Sequence, residues 1–210
     1  MLAERLGYDY IDSGAMYRAV ALLAIESGTK LDDGPALARL AAESDMKFEW
    51  QASGNRLLLR LRLGDRDVTE TIRSPEVARA ASLVSIHSEV REQLVRQQRE
   101  LGRQGGVVME GRDIGTKVFP EADLKVFLDA SLEVRSERRV RDMEGTGQGS
   151  SANVLRQMAE RDRRDRLREQ SPLVPAEDSI RIDSTHLSAE EVVEKILRLV
   201  DRKKQVGCEK

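Results

Sequence analysis

The order of hydrophobic and polar residues along the chain predicts strands that alternate with helices. Short apolar runs at 8–12, 106–110, 124–130 and 179–183 are typical of buried strands. Between them, apolar residues recur every three or four positions, as they do in helices with one buried face. This alternation predicts an α/β fold, in which a parallel sheet carries helices on both faces.

Several residues mark where these helices begin and end. Ser13 and Gly14 are predicted to cap the helix that follows the first strand, and Ser74–Pro75 is a typical helix start. The helical stretch that ends near residue 103 has a predicted joint at 86–88. Ser188 and Glu191 have the spacing of a capping box, so the last helix should begin there.

The segment 47–68 changes from the helical period to strict alternation. Leu59, Leu61 and Leu63 fall on one face of an extended chain, and Arg60 and Arg62 fall on the other. A turn is expected at 53–55. The segment therefore predicts a small antiparallel β insertion in the α/β domain.

Composition excludes several classes of protein. The 210 residues are 40% hydrophobic and 34% charged, which favours a soluble globular domain. Lys plus Arg (35) nearly balances Asp plus Glu (37), which argues against a nucleic-acid coat or a membrane-surface protein. The single Cys208 supports neither a disulfide framework nor a cysteine metal cage. We expect a cytoplasmic monomer with no nucleic acid or membrane partner, in which any anion site is a local cluster.

One candidate cluster follows the strand at 106–110. Arg112 and Asp113 come directly after this strand, and ligands bind beyond the carboxyl ends of parallel strands. An arginine there can hold an anion through two parallel hydrogen bonds, and an aspartate can accept from a donor of the same ligand. The alternative is that the two residues only pair with each other at the strand end.

A second cluster lies in the charged segment 161–168. Arg161, Asp165 and Arg168 share one helical face, with Arg164 at its edge, and such a face can hold a phosphate and a sugar hydroxyl. The alternative is a solvated helix with ion pairs one turn apart, such as Asp162 with Arg166. The excess of Arg over Lys favours phosphate binding, because guanidinium matches phosphate in two-pronged contacts.

Other candidates carry weaker signals. Ser13 and Arg18 begin the helix after the first strand, which suits an anion site, although Ser13 is also explained as an N-cap. Periodicity alone places Ser82 and Arg91 on the surface. His87 and His186 lie far apart, so a metal or imidazole site is not expected. The sequence contains no G-x-x-x-x-G-K-[ST], no G-x-G-x-x-G and no nucleophile elbow.

Four segments, 12–18, 111–120, 161–166 and 172–176, together resemble bacterial cytidylate kinases. Their order and spacing agree along essentially the whole chain. The resemblance implies an adenylate-kinase-like fold of the P-loop NTPase type, with an acceptor-binding insertion and a mobile lid. We accordingly expect a core at 1–31 and 104–210, an insertion at 32–103 and a lid at about 138–160.

The resemblance also implies a transferase of pyrimidine metabolism that moves the γ-phosphoryl group of ATP, bound with Mg²⁺, to CMP or dCMP. Ser82, Arg91 and Asp113 would read the cytosine edge. The α-phosphate would bind Arg18, Arg112 and Arg168, with Ser13 also in the acceptor site. Arg161 and Asp165 would lie near the sugar, and Arg138, with Arg139, would be a lid arginine near the donor phosphates. The expected catalytic residues are Arg138, Arg161 and Arg168.

The chain departs from the family pattern at one place. Family members begin with a central strand and a glycine-rich loop that ends in Gly-Lys-Gly-Thr or Gly-Lys-Ser-Thr, whose amides and lysine hold the donor phosphates. This sequence starts after that point, so we expect the first central strand to be missing. The alternative function is then a truncated chain that binds CMP and transfers nothing. An RNA adaptor is disfavoured, because only 3% of the residues are aromatic.

Overall fold

The computed structural model of the chain describes residues 1–53, 56–142, 151–167 and 171–207. Its contacts divide the chain into two compact units. The first unit is Ala3–Gly111, and the second is Met1–Leu2 with Arg112–Lys210. This division differs from the predicted one, because the predicted insertion packs with residues of the first helices. The predicted core and insertion remain a prediction.

The first unit contains helices, two parallel strands and an antiparallel sheet. In chain order its elements are α1 (Leu2–Leu6, whose first residue is counted with the second unit), β1 (Asp9–Asp12), α2 (Ser13–Ser27), α3 (Gly34–Glu43), β2 (Met46–Ser53), β3 (Arg56–Leu63), β4 (Arg66–Asp67), a 3₁₀ turn (Thr71–Arg73), α4 (Pro75–Val84), α5 (Ser88–Leu101) and β5 (Val107–Glu110).

Helix α2 shows how local sequence sets an element's ends. The Asp12 side chain accepts a hydrogen bond from the Ala15 amide at 3.0 Å, so Asp12 is the N-cap. The prediction that Ser13 and Gly14 cap this helix was wrong, since Ser13 is its first residue. At the other end Gly28 has φ 68°, a left-handed conformation that glycine adopts without strain, and its amide donates to the Ala24 and Ile25 carbonyls.

The joint predicted at 86–88 is confirmed, because α4 ends at Val84 and α5 begins at Ser88. The predicted start of α4 is also confirmed. The Ser74 hydroxyl accepts from the Val77 amide, and Pro75 follows it at the first helical position.

The core of the first unit lies where α2 packs against α3, α4 and the 3₁₀ turn. Each fully buried aliphatic side chain there contributes about 1.5–3 kcal/mol through removal of apolar surface from water. Prominent members of this core are Met16, Val20, Leu37, Leu61, Val77, Val84 and Leu94.

The antiparallel insertion predicted at 47–68 is confirmed. Strands β2 and β3 pair with Met46 opposite Leu63 and Phe48 opposite Leu61, and β3 then pairs with β4. Leu61 is buried as predicted, and Arg62 lies 3.9 Å from Glu49 on the other face. The predicted turn at 53–55 lies partly outside the described residues.

Strands β1 and β5 form a parallel pair. Tyr10 lies opposite Val108 and Asp12 lies opposite Glu110, so polar groups of both strands meet at the carboxyl edge. This confirms the predicted parallel pairing and puts the start of α2 beside the end of β5.

The second unit adds two further parallel strands. Its elements are a π-helical turn (Ile114–Val118), β6 (Val126–Asp129), α6 (Leu132–Asp142), α7 (Ser151–Leu167), β7 (Ile180–Asp183) and α8 (Ala189–Gly207). Strands β6 and β7 pair in parallel with Val126 opposite Ile180, and α6 packs against α7. The predicted α/β class is confirmed by both parallel pairs.

The capping box predicted before α8 is present. The Ser188 amide donates to Glu191 Oε2 at 2.8 Å, and the Glu191 amide donates to the Ser188 hydroxyl at 3.2 Å. In the part of the chain that the structure describes, no helix combines the length and the apolar character that a membrane crossing requires.

Candidate functional site

The predicted site residues fall into two groups, one in each unit. Ser13, Arg18, Ser82 and Arg91 belong to the first unit, and Arg112, Asp113, Arg138, Arg161 and Asp165 belong to the second. Arg168 lies outside the described residues, as does the central part of the predicted lid, 143–150.

A compact polar cluster surrounds the start of α2. Arg18 Nη2 donates to Asp12 Oδ2 at 2.7 Å, so one carboxylate both caps the helix and orients an arginine. Gly14 leaves room for this, because a Cβ atom there would lie 3.0 Å from Asp12 Oδ1. Arg18 Nε is buried and has no hydrogen-bond partner among the described residues. An anion at this helix start would gain a charged donor.

Arg91 is buried inside the first unit, with 4% of its surface exposed. The surface position expected from periodicity was therefore wrong. Its Nη1 donates to the Ser85 carbonyl at 3.3 Å, and its guanidinium carbon lies 5.7 Å from the centre of the Tyr17 ring. The attraction between cation and ring helps to offset the cost of burying the charge.

Ser82 is linked to Arg91 through Ser85. The Ser85 hydroxyl donates to the Ser82 carbonyl at 3.1 Å, while the Ser85 carbonyl accepts from Arg91. The turn between α4 and α5 thus connects two of the three residues that the resemblance assigned to the cytosine edge. Neither residue gave a signal in the sequence, because a single buried arginine does not alter helical periodicity.

Glu110 and Tyr10 meet at the carboxyl edge of the β1–β5 pair. Burial raises the pKa of the Glu110 carboxyl, and a hydrogen bond from Tyr10 lowers it in part. Burial raises the pKa of the Tyr10 hydroxyl, and the hydrogen bond to Glu110 raises it further. The negative charge of Asp12 and the positive charge of Arg18 also act on Glu110. The charged groups at the start of α2 therefore influence the carboxyl group at the end of β5.

This raised pKa gives a pH prediction. A carboxyl with a raised pKa in the folded state contributes stability below its unfolded pKa, and that contribution is lost as pH rises through the folded pKa. The variant Glu110→Gln should therefore melt at a higher temperature than the unmodified protein at about pH 7–8 and at the same temperature at about pH 4. The effect should be small, since Glu110 also keeps exposed surface.

Thermal unfolding at both pH values measures this, with the exposed Glu43→Gln as the matched control. An equal difference between Glu110→Gln and the unmodified protein at both pH values would contradict the assignment of a raised pKa.

Asp113 begins an unusual turn in the second unit. Its carbonyl accepts from the Lys117 amide at 2.8 Å and the Val118 amide at 3.3 Å, and the Phe119 amide donates to the Ile114 carbonyl. Bonds between residues five apart define a π-helical turn, a rare geometry that is frequent at functional sites. The turn buries Asp113, which is 7% exposed.

Arg112 contacts α7, 50 residues further along the chain. Its Nη1 lies 3.4 Å from Asp162 Oδ1, and its Nε lies 3.5 Å from Asp165 Oδ2. Arg112 of the first predicted cluster therefore contacts two described residues of the second, Asp162 and Asp165. The alternative of pairing only at the strand end does not hold, since both contacts reach another helix.

Two more arginines extend this site into a continuous series of ion pairs. Arg135 Nη1 donates to Asp162 Oδ2 at 2.6 Å, and Arg161 Nε lies 3.8 Å from Asp165 Oδ2. We call the series the arginine–aspartate chain; in order of contact it is Arg135, Asp162, Arg112, Asp165 and Arg161. The side chains of Asp162 and Asp165 are only 13% and 11% exposed, so this face of α7 is not a solvated surface.

The arginine–aspartate chain contains three guanidinium groups and two carboxylates. Such an arrangement suits a phosphate, because guanidinium groups oriented by carboxylates match the geometry of phosphate oxygens. Sequence reasoning missed Asp162 and Arg135 as members. Asp162 had a detectable signal, since it precedes Asp165 by three positions on the same helical face. Arg135 had no sequence signal that distinguishes it from the other arginines of α6.

Arg138 makes other contacts. Its Nη1 donates to the Ser184 hydroxyl, and its Nη2 donates to the Ser184 and Leu187 carbonyls at 2.7 and 3.1 Å. These bonds hold the loop between β7 and α8. Its expected role at the donor phosphates remains a prediction, and this geometry favours a structural role.

The described residues contain no group of three or more His, Cys, Asp or Glu side chains that could hold a metal ion. Asp162 and Asp165 are instead paired with arginines. Mg²⁺ is expected together with the ATP substrate, because proteins usually hold it through substrate phosphates and only one or two carboxylates.

The parallel strands and their connecting helices define an α/β protein, consistent with the nucleoside monophosphate kinase fold. This protein also carries a cluster of arginines oriented by carboxylates. More specifically, the chain belongs to the cytidylate kinase family, whose model, described as "Cytidylate kinase", matches residues 1–202.

Individual relatives agree with this. A cytidylate kinase of Desulfitobacterium hafniense (strain Y51) is 45% identical over 207 residues, which cover 98% of this chain and 87% of that protein. One from Pelotomaculum thermopropionicum is 48% identical over 201 residues, covering 95% and 88%. A bifunctional pantoate ligase/cytidylate kinase of Synechococcus sp. (strain JA-3-3Ab) is 47% identical over 199 residues, which cover 94% of this chain and 37% of that protein.

Proposed function

We propose that this protein transfers the γ-phosphoryl group of ATP to CMP or dCMP. The observation that carries the proposal is the arginine–aspartate chain, in which residues of the two motifs typical of the family come together. Its oriented guanidinium groups are what a nucleotide phosphate requires.

The acceptor nucleotide is proposed to bind through the residues that the family resemblance assigns to it. Arg18 and Arg112 would hold the α-phosphate together with Arg168, and Ser13 would lie at the same helix start. Arg91, Ser82 and Asp113 would read the cytosine edge, whose donor and acceptor groups differ from those of other bases. Asp165 and Arg161 would lie near the sugar. Burial of Arg91 and Asp113 supports the base-reading role, since hydrogen bonds in a dry site discriminate strongly.

The chemical step needs little from the protein beyond positioning and charge. An oxygen of the CMP phosphate attacks the γ-phosphorus of ATP. A new P–O bond forms as the bond between the γ-phosphorus and the β-phosphate oxygen breaks, which gives CDP and ADP. The attacking oxygen is already ionised near neutral pH, so no general base is required. Arg161 and Arg168 would offset the negative charge of the two phosphates that approach each other.

The donor side is proposed to bind ATP together with Mg²⁺, which supplies charge neutralisation at the phosphates. Arg138 could contribute there only after giving up its bonds to Ser184 and Leu187. We therefore propose that it mainly supports the loop before α8.

A second candidate function is CMP binding without transfer. One observation favours it: the 210 residues contain no glycine-rich loop that ends in Gly-Lys-Ser or Gly-Lys-Thr. The acceptor residues are unaffected by this, because they lie in other parts of the chain.

Separate calorimetric titrations of CMP and ATP distinguish these candidates. The kinase proposal expects saturable binding of both, and CDP formation when both are present. Binding of CMP alone, without CDP, would support the second candidate. RNA binding that falls steeply with salt would contradict both. A comparison of CMP, dCMP, UMP and AMP as acceptors then defines the base preference.

A further inference from the structure

Asp162 of α7 lies between two arginine side chains that come from different elements. Its Oδ1 is 3.4 Å from Arg112 Nη1, and its Oδ2 accepts from Arg135 Nη1 at 2.6 Å. Two guanidinium groups this close would repel each other without a counter-ion. The carboxylate therefore offsets that repulsion and sets the spacing between them.

Arg135 is itself fixed at its other end. Its Nε donates to the Ala130 carbonyl at 3.0 Å, at the point where β6 leads into α6. Ala130 is buried, with 8% of its surface exposed. The end of β6 thus holds Arg135 in place, and Arg135 holds Asp162. Asp162 in turn contacts Arg112.

The contacts of Arg112 itself are longer. Its distances of 3.4 and 3.5 Å to Asp162 and Asp165 exceed the roughly 2.7–2.9 Å typical of charge-assisted hydrogen bonds. Its side chain keeps 36% of its surface exposed. The guanidinium is therefore oriented by the two carboxylates, but it can still form shorter bonds to an anionic ligand.

We propose that Asp162, held by Arg135, is a positioning residue that orients Arg112 toward the phosphate of the acceptor nucleotide. The inference rests on the proposed function, because it takes the ligand of Arg112 to be that phosphate. It differs from a merely structural link between α6 and α7, which would stabilise the unit without affecting phosphate binding selectively.

The test compares CMP with cytidine, which lacks the phosphate. The variant Asp162→Asn should raise the Kd for CMP about tenfold, as expected for coupling between contacting residues, and leave the Kd for cytidine unchanged. In an Arg112→Ala background the same substitution should have no effect on CMP binding. The variant Asp162→Glu keeps the charge and should recover part of the loss. Isothermal titration and NMR titration measure these constants.

Glu160→Gln is the matched control, because it makes the same change at an exposed position of α7 and should leave both constants unaltered. Equal losses of CMP and cytidine binding, or a tenfold effect that persists with Arg112→Ala, would show a structural role and overturn the inference. If Asp162→Asn does not fold, Asp162→Glu decides between the same outcomes. Failure of the unmodified chain to bind CMP would instead remove the proposed function, and this inference with it.

Discussion

Replacing Arg112 by alanine should lower kcat/KM for CMP by about 100- to 1000-fold, while KM for ATP stays unchanged. Removal of one partner of a hydrogen-bonded charge pair, here Arg112 and the bound phosphate, typically costs about 2–5 kcal/mol, and tenfold corresponds to about 1.4 kcal/mol. The loss has a second source here. Without Arg112, the carboxylates of Asp162 and Asp165 lose a counter-ion and would repel the incoming phosphate.

Steady-state kinetics with each substrate varied in turn measure this effect. Arg103→Ala provides the control, since Arg103 is an exposed arginine paired with Glu100 at a helix end, where an ion pair is worth little. If CMP kinetics of Arg112→Ala match those of the control, Arg112 does not contact the acceptor phosphate.

Replacing Arg91 by methionine should weaken CMP binding while leaving the stability of the protein almost unchanged. We expect CMP affinity to fall about 100-fold, because a buried donor to the cytosine edge is lost. The free energy of unfolding should change by less than about 1 kcal/mol. The lost contacts to Tyr17 and the Ser85 carbonyl are offset by removal of a buried charge, and methionine fills a similar volume.

Urea denaturation and isothermal titration test this pair of expectations. Leu94→Ala in the same helix is the matched control, since Leu94 is fully buried. It should cost about 2–5 kcal/mol of stability through the cavity it creates. A large loss of stability in Arg91→Met, or undiminished CMP binding, would mean that Arg91 serves the core of the first unit and not the ligand.

The helices and strands were largely predictable, because local residue patterns determine them. The capping box at Ser188 and Glu191, the start at Ser74–Pro75 and the alternation in β3 involve residues a few positions apart, and all three are present. The first cap was assigned one residue late. Both Asp12 and Ser13 are residue types that favour the N-cap position. The pairing of Asp12 with Arg18 cannot be inferred from such preferences.

The site was predictable only in part, for a different physical reason. Arg112 and Asp165 stand in conspicuous charged motifs, but their contact spans 53 positions, and no local rule states that the two motifs meet. The burial of Arg91 and the bridging position of Asp162 depend on which elements pack together. The π-helical turn at Ile114–Val118 likewise has no short-range sequence signal.

The proposed transfer of a phosphoryl group from ATP to a cytidine monophosphate can be measured directly. Incubation with γ-³²P-labelled ATP, Mg²⁺ and CMP, followed by separation of the nucleotides, tests it directly. We expect that the label appears in CDP, that dCMP gives labelled dCDP, and that Arg112→Ala abolishes most of the transfer. Label found only in inorganic phosphate or in unreacted ATP, at saturating CMP, would contradict it.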